Sequence, residues 1–138
     1  MPKSLRWLVL IITLCYFSND NYSNTKTIPY YSLLNLAKAL PPTPITVSHS
    51  NPGMPQILKG TLITYKNRNA RKVFIAGDFS LWKKHPMERS NNGVWFYIIP
   101  YSDEERIVRY KFFVDGIWIH DPINHDIADD NAGSYFSI

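Results

Sequence analysis

Arg109-Tyr110-Lys111-Phe112-Phe113-Val114-Asp115-Gly116-Ile117-Trp118 is the stretch on which the fold turns. Extended back to Ile107, it alternates. Val108, Tyr110, Phe112 and Val114 fall on one face, and Ile107, Arg109, Lys111 and Phe113 on the other, because successive side chains of a strand point to opposite sides. The first set is the better core face. The second carries two cations and so reaches solvent or a ligand. Asp115-Gly116 is a two-residue turn signal leading directly into Ile117-Trp118-Ile119, so this stretch reads as two strands of one antiparallel sheet.

The rest of the C-terminal half has the same texture. Ile57 to Tyr65 reads as a first strand, Asn67-Arg68-Asn69 as a turn, and Lys72 to Ala76 as a second strand closed by Gly77. Ser90-Asn91-Asn92-Gly93 is a hairpin signal before a third strand, Val94 to Ile99, which Pro100 ends. Ser102 to Glu105 is an acidic turn before the Ile107–Val114 strand, and Gly133 to Ile138 forms the last strand. Short aromatic and β-branched runs at regular spacing, punctuated by Gly, Asn and Asp, predict an all-β antiparallel sandwich over residues 57–138.

With 138 residues the chain has room for one domain of this kind and little more. Its 15 Lys and Arg against 11 Asp and Glu give a net charge of +4. The basic residues are scattered rather than gathered in a stripe, which argues against a nucleic-acid partner. One cysteine, Cys15, leaves no internal disulfide, so the fold stands on its hydrophobic core.

The N-terminus differs in kind. Lys3 and Arg6 precede an apolar run from Trp7 to Phe17, and polar Ser18-Asn19-Asp20-Asn21 follows. The order is that of an export signal over residues 1–18, and the run is short of the roughly 20 residues of a membrane span. Ile12-Thr13-Leu14-Cys15 loosely matches a lipobox, giving a second reading in which Cys15 is lipidated and tethers an exported, periplasmic, cell-surface or secreted protein to a membrane. Residues 19–56 are rich in Pro, Asn and Ser and read as a flexible tether. Within it, Leu33, Leu36, Ala37 and Leu40 fall at helical spacing, with Ser32 as N-cap of a short helix over Tyr31–Leu40.

Three segments taken together carry a resemblance: Val73-Phe74-Ile75-Ala76-Gly77-Asp78-Phe79-Ser80-Leu81-Trp82, the Arg109–Trp118 stretch, and His120-Asp121-Pro122. In order and spacing they resemble the glycogen-binding modules of AMP-activated protein kinase β subunits, within the wider family of isoamylase N-terminal-type carbohydrate-binding modules. The resemblance runs from about Arg71 to the C-terminus. It implies an early-set immunoglobulin-like sandwich with a site for α-1,4-linked glucose chains. Two tryptophans, here Trp82 and Trp118, stack on sugar rings, and a lysine, here Lys111, donates to hydroxyls. The remaining family positions hold Ala132 for the usual leucine, Ser134 for the usual threonine and Phe136 for the usual asparagine. Ala132 is too small to fill the inside of a glucan turn. Phe136 loses the amide hydrogen bonds but keeps the capacity to stack.

The residues argue along the same line by themselves. A pyranose has an apolar C–H face and a rim of hydroxyls, which suits an indole beside a fixed polar group. Trp82 and Trp118 each lie beside a turn, where a tryptophan serves either core packing or ligand contact. Trp95 lies within a strand and is assigned to the core, as are Phe79 and Tyr110. Asp115-Gly116 and Asp121-Pro122 read as turn devices. His120, Asp121, His125, Asp126, Asp129 and Asp130 match no metal-ligand spacing and read as a solvated acidic loop. No nucleophile elbow, phosphate-cradling loop or carboxylate pair marks an enzyme, and neither a metal nor a cofactor is expected. The expected function is non-catalytic recognition of glycogen, starch or a maltooligosaccharide. The alternative, favoured by Ala132 and Phe136, is an exported sandwich that has lost sugar affinity and binds a protein or envelope partner.

Overall fold

The computed structural model describes residues 26–50, 53, 57–101 and 107–138. The expected signal over residues 1–18, with Cys15, lies outside them. The architecture is a sandwich of two sheets, of the expected all-β, immunoglobulin-like class. The first sheet runs β1 (Thr27–Pro29), β2 (Thr43–Ser48), β3 (Ile57–Lys66), β7 (Val94–Pro100), β6 (Glu88–Arg89). The second runs β10 (Ile127–Asp129), β11 (Tyr135–Ser137), β8 (Tyr110–Val114), β4 (Val73–Gly77), β5 (His85–Pro86), with β9 (Ile117–Ile119) also paired to β8. Every pairing is antiparallel except β1 with β2. The chain passes from one sheet to the other between β5 and β6, at Met87, whose side chain is buried between them while its N–H donates to the Val73 carbonyl at 2.9 Å.

Alternation decides what lies between the sheets. Ile63 and Trp95 from the first sheet meet Val73, Ile75, Tyr110 and Phe112 from the second, with Met87 and Ile99. Tyr110 and Phe112 point inward as the period of two requires, with Val114 packed against the same core. Trp95 is buried and donates from Nε1 to the Asn67 carbonyl at 3.0 Å, and Phe79 packs against the core edge. Asp115 (φ 46°) and Gly116 (φ 96°) are both left-handed between the paired Val114 and Ile117, the conformation of a two-residue hairpin turn. The Asp115 carboxylate closes this end of the sheet by accepting from the N–H groups of Arg71 and Lys72.

A buried polar cluster ties the chain's end to this core. Asp121, 1% exposed, accepts from the Tyr110 hydroxyl at 2.8 Å, and its own N–H donates to Ser137 Oγ at 2.7 Å. Asn124 Nδ2 donates to the Tyr110 oxygen and to the Ile138 carbonyl. Burial pushes the Asp121 carboxyl above its ordinary value and raises the Tyr110 phenol as well. The Asp121-Pro122 turn is present, with Ile123 N–H donating to Asp121 Oδ1, but Asp121 also anchors the last strand.

Several elements differ from their expected bounds. The Ile107–Val114 strand begins only at Tyr110, because Arg109 N–H bonds to the Asp78 side chain at 3.1 Å instead of continuing a ladder. The last strand is shorter than Gly133–Ile138. Part of the expected acidic loop is strand β10, paired to it.

The larger correction concerns residues 27–48, expected to belong to a flexible tether. They are built into the sandwich. Ile45 and Val47 of β2 join Leu62 of β3 and Phe96 of β7 on the outer face of the first sheet, and the segment before β2 lies over them. Leu33 is fully buried there, with Ile28, Tyr30, Leu34, Leu36 and Leu40 around it. Pro44 fits in β2 because β1 pairs only with Thr46–Ser48, so Pro44 has a strand on one side only. The expected ten-residue helix is the single turn α1 (Tyr30–Leu33), preceded by Pro29 rather than capped by Ser32. An isolated helix of this length is marginal. Tertiary bonds take the place of its ladder: Thr64 Oγ1 accepts from Leu40 N–H (2.7 Å) and donates to its carbonyl (2.9 Å), Ser90 Oγ donates to the Leu36 carbonyl (2.9 Å), and Asn91 N–H donates to Leu34 (2.8 Å).

This segment is therefore a covering layer, and its loss exposes apolar sheet. Leu33→Ala is expected to destabilise the protein by about 2–5 kcal/mol, and Thr64→Val, which strands the Leu40 groups, by about 1–3 kcal/mol. Urea denaturation of each variant beside the unaltered chain checks both. A flexible tether would leave the midpoint unmoved in either.

Candidate functional site

With the first sheet covered, the outer face of the second sheet is the face on which the expected site residues fall. On β8 the residues between the inward Tyr110, Phe112 and Val114 are Lys111 and Phe113. Ala76 lies opposite Lys111, Phe74 opposite Phe113 on one side, and Trp118 opposite Phe113 on the other. Ser137 pairs with Tyr110, so its neighbour Phe136 points outward.

Trp82 reaches this face from the turn after β4. Gly77 is needed at its start, since a Cβ there would meet the Arg109 carbonyl oxygen at 2.3 Å. That close approach lets Asp78 N–H donate to the same oxygen at 3.0 Å. A single 3₁₀ turn, Asp78–Ser80, follows, and Leu81 (φ 52°) and Trp82 (φ 61°) are then both left-handed. Two consecutive non-glycine residues in this region are unusual. The turn is held at both ends: Trp82 N–H donates to the Gly77 carbonyl at 2.9 Å and Ser80 Oγ donates to the Lys83 carbonyl at 2.8 Å. Trp82 Nε1 donates to Asp78 Oδ1 at 3.2 Å, and Arg109 Nε to Asp78 Oδ2 at 2.9 Å. Burial pushes the Asp78 carboxyl up. The hydrogen bonds from Arg109, its charge and the indole bond more than offset this, leaving the group below its ordinary value.

Two groups form on the face. In the first, the rings of Trp82 and Phe136 lie 4.9 Å apart at 52°, Lys111 Nζ is 4.9 Å from the Phe136 ring centre, and the Arg109 guanidinium 5.5 Å from it. Phe136, where an asparagine was the family residue, thus joins Trp82 in one aromatic surface. In the second, Trp118, 41% exposed, lies 5.0 Å from Phe113. Lys84 Nζ sits over Phe113 at 3.4 Å and is 5.2 Å from the Trp118 ring. Beside it Phe74 and Phe113 line an open groove of about 470 Å³ with Arg71, Lys72 and Asp115.

Lys111 is not a free donor. It is 7% exposed, and its ammonium donates to Asp130 Oδ2 at 2.5 Å and to Ser134 Oγ at 3.3 Å. Asp130 Oδ1 accepts from the N–H groups of Ala132 (2.8 Å) and Ser134 (2.9 Å), so one carboxylate shapes the whole turn between β10 and β11. The hydrogen bond from Lys111, with those from the backbone, holds Asp130 down at about 2. Ala132 is exposed at the tip of that turn. The site's six expected residues therefore divide: Trp82, Phe136, Lys111 and Ser134 touch in a chain of contacts, Trp118 belongs to the neighbouring group, and Ala132 stands at the rim. Phe113, Lys84, Asp130 and the Asp78–Arg109 pair were not among them. Alternation had set Phe113 beside Lys111 on the outer face, whereas no pattern in the sequence pairs Lys84 with Phe113 or Asp130 with Lys111.

Among the described residues, no three His, Cys, Asp or Glu side chains converge in a way that could hold a metal, and no helix is long and apolar enough to cross a membrane.

The fold and this face define a β-sandwich with an aromatic outer surface, and comparison of the sequence places it further. Residues 60–138 match the family described as the glycogen recognition site of AMP-activated protein kinase. The chain belongs to that family. It is 43% identical over 53 residues to the 5'-AMP-activated protein kinase subunit beta-1 of Rattus norvegicus, an alignment covering 38% of this chain and 18% of the relative. It is 42% identical over 53 residues to the beta-1 subunit of Sus scrofa (38% and 40% covered) and 40% identical over 57 residues to the beta-2 subunit of Mus musculus (41% and 20% covered). The match thus spans under half the length of each of these relatives, and residues 27–48, which cover the first sheet, lie before the family region.

The Lys111–Asp130 pair has a pH signature. A carboxyl held below its unfolded value stabilises the fold at pH above about 4, and the contribution is lost as pH falls through the folded value of about 2. Asp130→Asn is therefore expected to lower the urea midpoint at pH 5, with the difference from the unaltered chain closing as pH approaches 2. A difference independent of pH would mean that the charge pair is without effect.

Proposed function

We propose that the outer face of the second sheet binds an α-1,4-linked glucan, such as glycogen, starch or a maltooligosaccharide, without catalysis. The observation that carries this reading is the pair of tryptophans outside the core on one sheet face, each beside a phenylalanine and a cation. Stacking of pyranose C–H faces on Trp82 and Trp118 supplies the apolar contact, and the hydroxyl rim meets the charged groups between them. The family match supports the sugar class. The carboxylates of this region are committed to structural partners: Asp78 to Arg109, Asp115 to backbone N–H groups, Asp130 to Lys111. That favours recognition over hydrolysis, which needs a free carboxyl pair across a cleft. An open face buries little of the ligand, so affinity belongs in the range of about tens of micromolar to millimolar.

Calorimetric titration of the chain with maltoheptaose and β-cyclodextrin, with cellohexaose as control, tests the reading. Saturable binding of the α-glucans alone is expected, weakened at least about tenfold in Trp118→Ala. No heat at millimolar sugar would overturn it. The second reading, a module that binds a protein or envelope component, is favoured by the occupied Lys111 ammonium and by Phe136 on the face. It requires sugar titrations that stay flat.

We also read residues 1–18 as an export signal, supported by their charged, apolar and polar order, with lipidation at Cys15 as the second form. Fractionation of cells expressing the full sequence is expected to place the protein outside the cytosol, with the apolar segment removed or Cys15 as the modified N-terminus. A cytosolic product that retains Met1 would overturn this.

A further inference from the structure

The resemblance implies Lys111 as the ligand-facing ammonium of this face, but Lys111 is buried and two of its three donors are taken by Asp130 and Ser134. We propose that Lys84 is the cation that hydrogen-bonds to a glucan stacked on Trp118, an inference that rests on the glucan reading above. Three observations lead there. Lys84 is solvent-exposed, while its Nζ sits 3.4 Å from the centre of the Phe113 ring and 5.2 Å from that of Trp118. Phe113 is opposite Trp118 in the β8–β9 register, so an ammonium held over Phe113 lies beside the indole as well, on the outer side of the sheet. And Trp118 is among the exposed large apolar side chains of the protein.

The chemistry follows from the shape of a pyranose. A ring laid on an indole presents its apolar C–H face downward and points its equatorial hydroxyls sideways, into the layer just above the aromatic plane. An ammonium already held against the neighbouring Phe113 ring occupies that layer. The ring quadrupole favours the cation there, so a long, rotamer-rich side chain is partly ordered before the sugar arrives, and less freedom is lost on binding. Occupation of the Phe113 surface by Lys84 also leaves Trp118 as the stacking partner of this group. The arrangement makes Lys84 specific for a hydroxyl-bearing ligand: an apolar ligand on Trp118 would leave the ammonium without a new partner. Lys84 is thus a binding residue, whereas Lys111, tied to Asp130, is a positioning residue for the turn that carries Ala132 and Ser134.

The test compares Lys84→Met, which keeps the apolar stem over Phe113 and removes the donor, with Lys84→Arg and Lys111→Met, using maltoheptaose calorimetry and thermal denaturation of the full chain. Lys84→Met is expected to weaken maltoheptaose binding about tenfold with an unchanged Tm, and Lys84→Arg to recover most of the affinity. Lys111→Met is expected to lower Tm, because it leaves the Asp130 carboxylate without its ammonium. Affinity of Lys84→Met within twofold of the unaltered chain would overturn the inference, as would a loss of affinity matched by a loss of Tm. If the unaltered chain itself binds no maltoheptaose, the glucan reading fails and this inference with it. That outcome is distinct from a binding chain in which Lys84 is silent.

Discussion

Strand β8 is hydrogen-bonded along both edges, to β4 on one side and to β9 and β11 on the other, and the rest of the molecule is arranged around its five residues. Tyr110 and Phe112 enter the core, where the Tyr110 hydroxyl also organises Asp121 and Asn124. Lys111 and Phe113 face outward and form the centre of the two aromatic groups. Core and site are thus coupled by a period of two: a shift of the β8 register by one residue would turn Lys111 into the core and Phe112 to the outer face. The buried Asp121 cluster resists such a slip. Tyr110 reaches Asp121 in only one register, and Asp121 in turn holds Ser137 opposite Tyr110.

The two outer faces of the sandwich have different fates. Apolar Leu62 and Phe96 on the first sheet are covered by the chain's own N-terminal segment, pinned through Thr64, Ser90 and Asn91. The second sheet keeps an aromatic outer surface on which cations lie. A sandwich needs one buried face per sheet. Here three apolar faces are buried and the fourth remains for recognition. Covering the first sheet also pairs β2 along β3, which moves the sheet edge outward to the three-residue β1 and shortens the exposed backbone that invites pairing with other chains.

How much of this was legible follows from the range of each signal. The strands β3, β4, β7, β8 and β9 were legible because alternation and turn residues act over a few positions, and the Asp115-Gly116 hairpin has the turn its sequence demands. The covering layer was not. Ile45-Thr46-Val47 is a three-residue run between prolines and polar residues, and nothing local reveals that Val47 lies beside Leu33 in the same buried cluster. The spacing of Leu33, Leu36 and Leu40 does report a buried apolar side, but the helix it predicts is a single turn. The leucines instead reach the sheet from one helical turn and an irregular path whose backbone groups bond to side chains far along the sequence. Trp82, Lys111, Trp118 and Phe136 were legible by type and motif. Their partners Asp130, Lys84 and Asp78 were not, because contacts between residues far apart in the chain, such as Lys111 with Asp130, Lys84 with Phe113 and Asp78 with Arg109, leave no periodic trace.

The pairing of charges on this face bears on what it can recognise. Arg109 is tied to Asp78 and Lys111 to Asp130, so these two cations add little net field to the surface and their geometry is fixed by partners on the same face. A polyanion would gain from free positive charge, which this half of the face does not offer. A neutral ligand gains from flat apolar area and from donors whose positions are already set, and such donors cost less ordering on binding. The Lys111–Asp130 pair holds a turn in place beside Phe136. The face thus combines aromatic area with cations paired on the same face, an arrangement that fits the polyhydroxylated, uncharged chain proposed as its ligand.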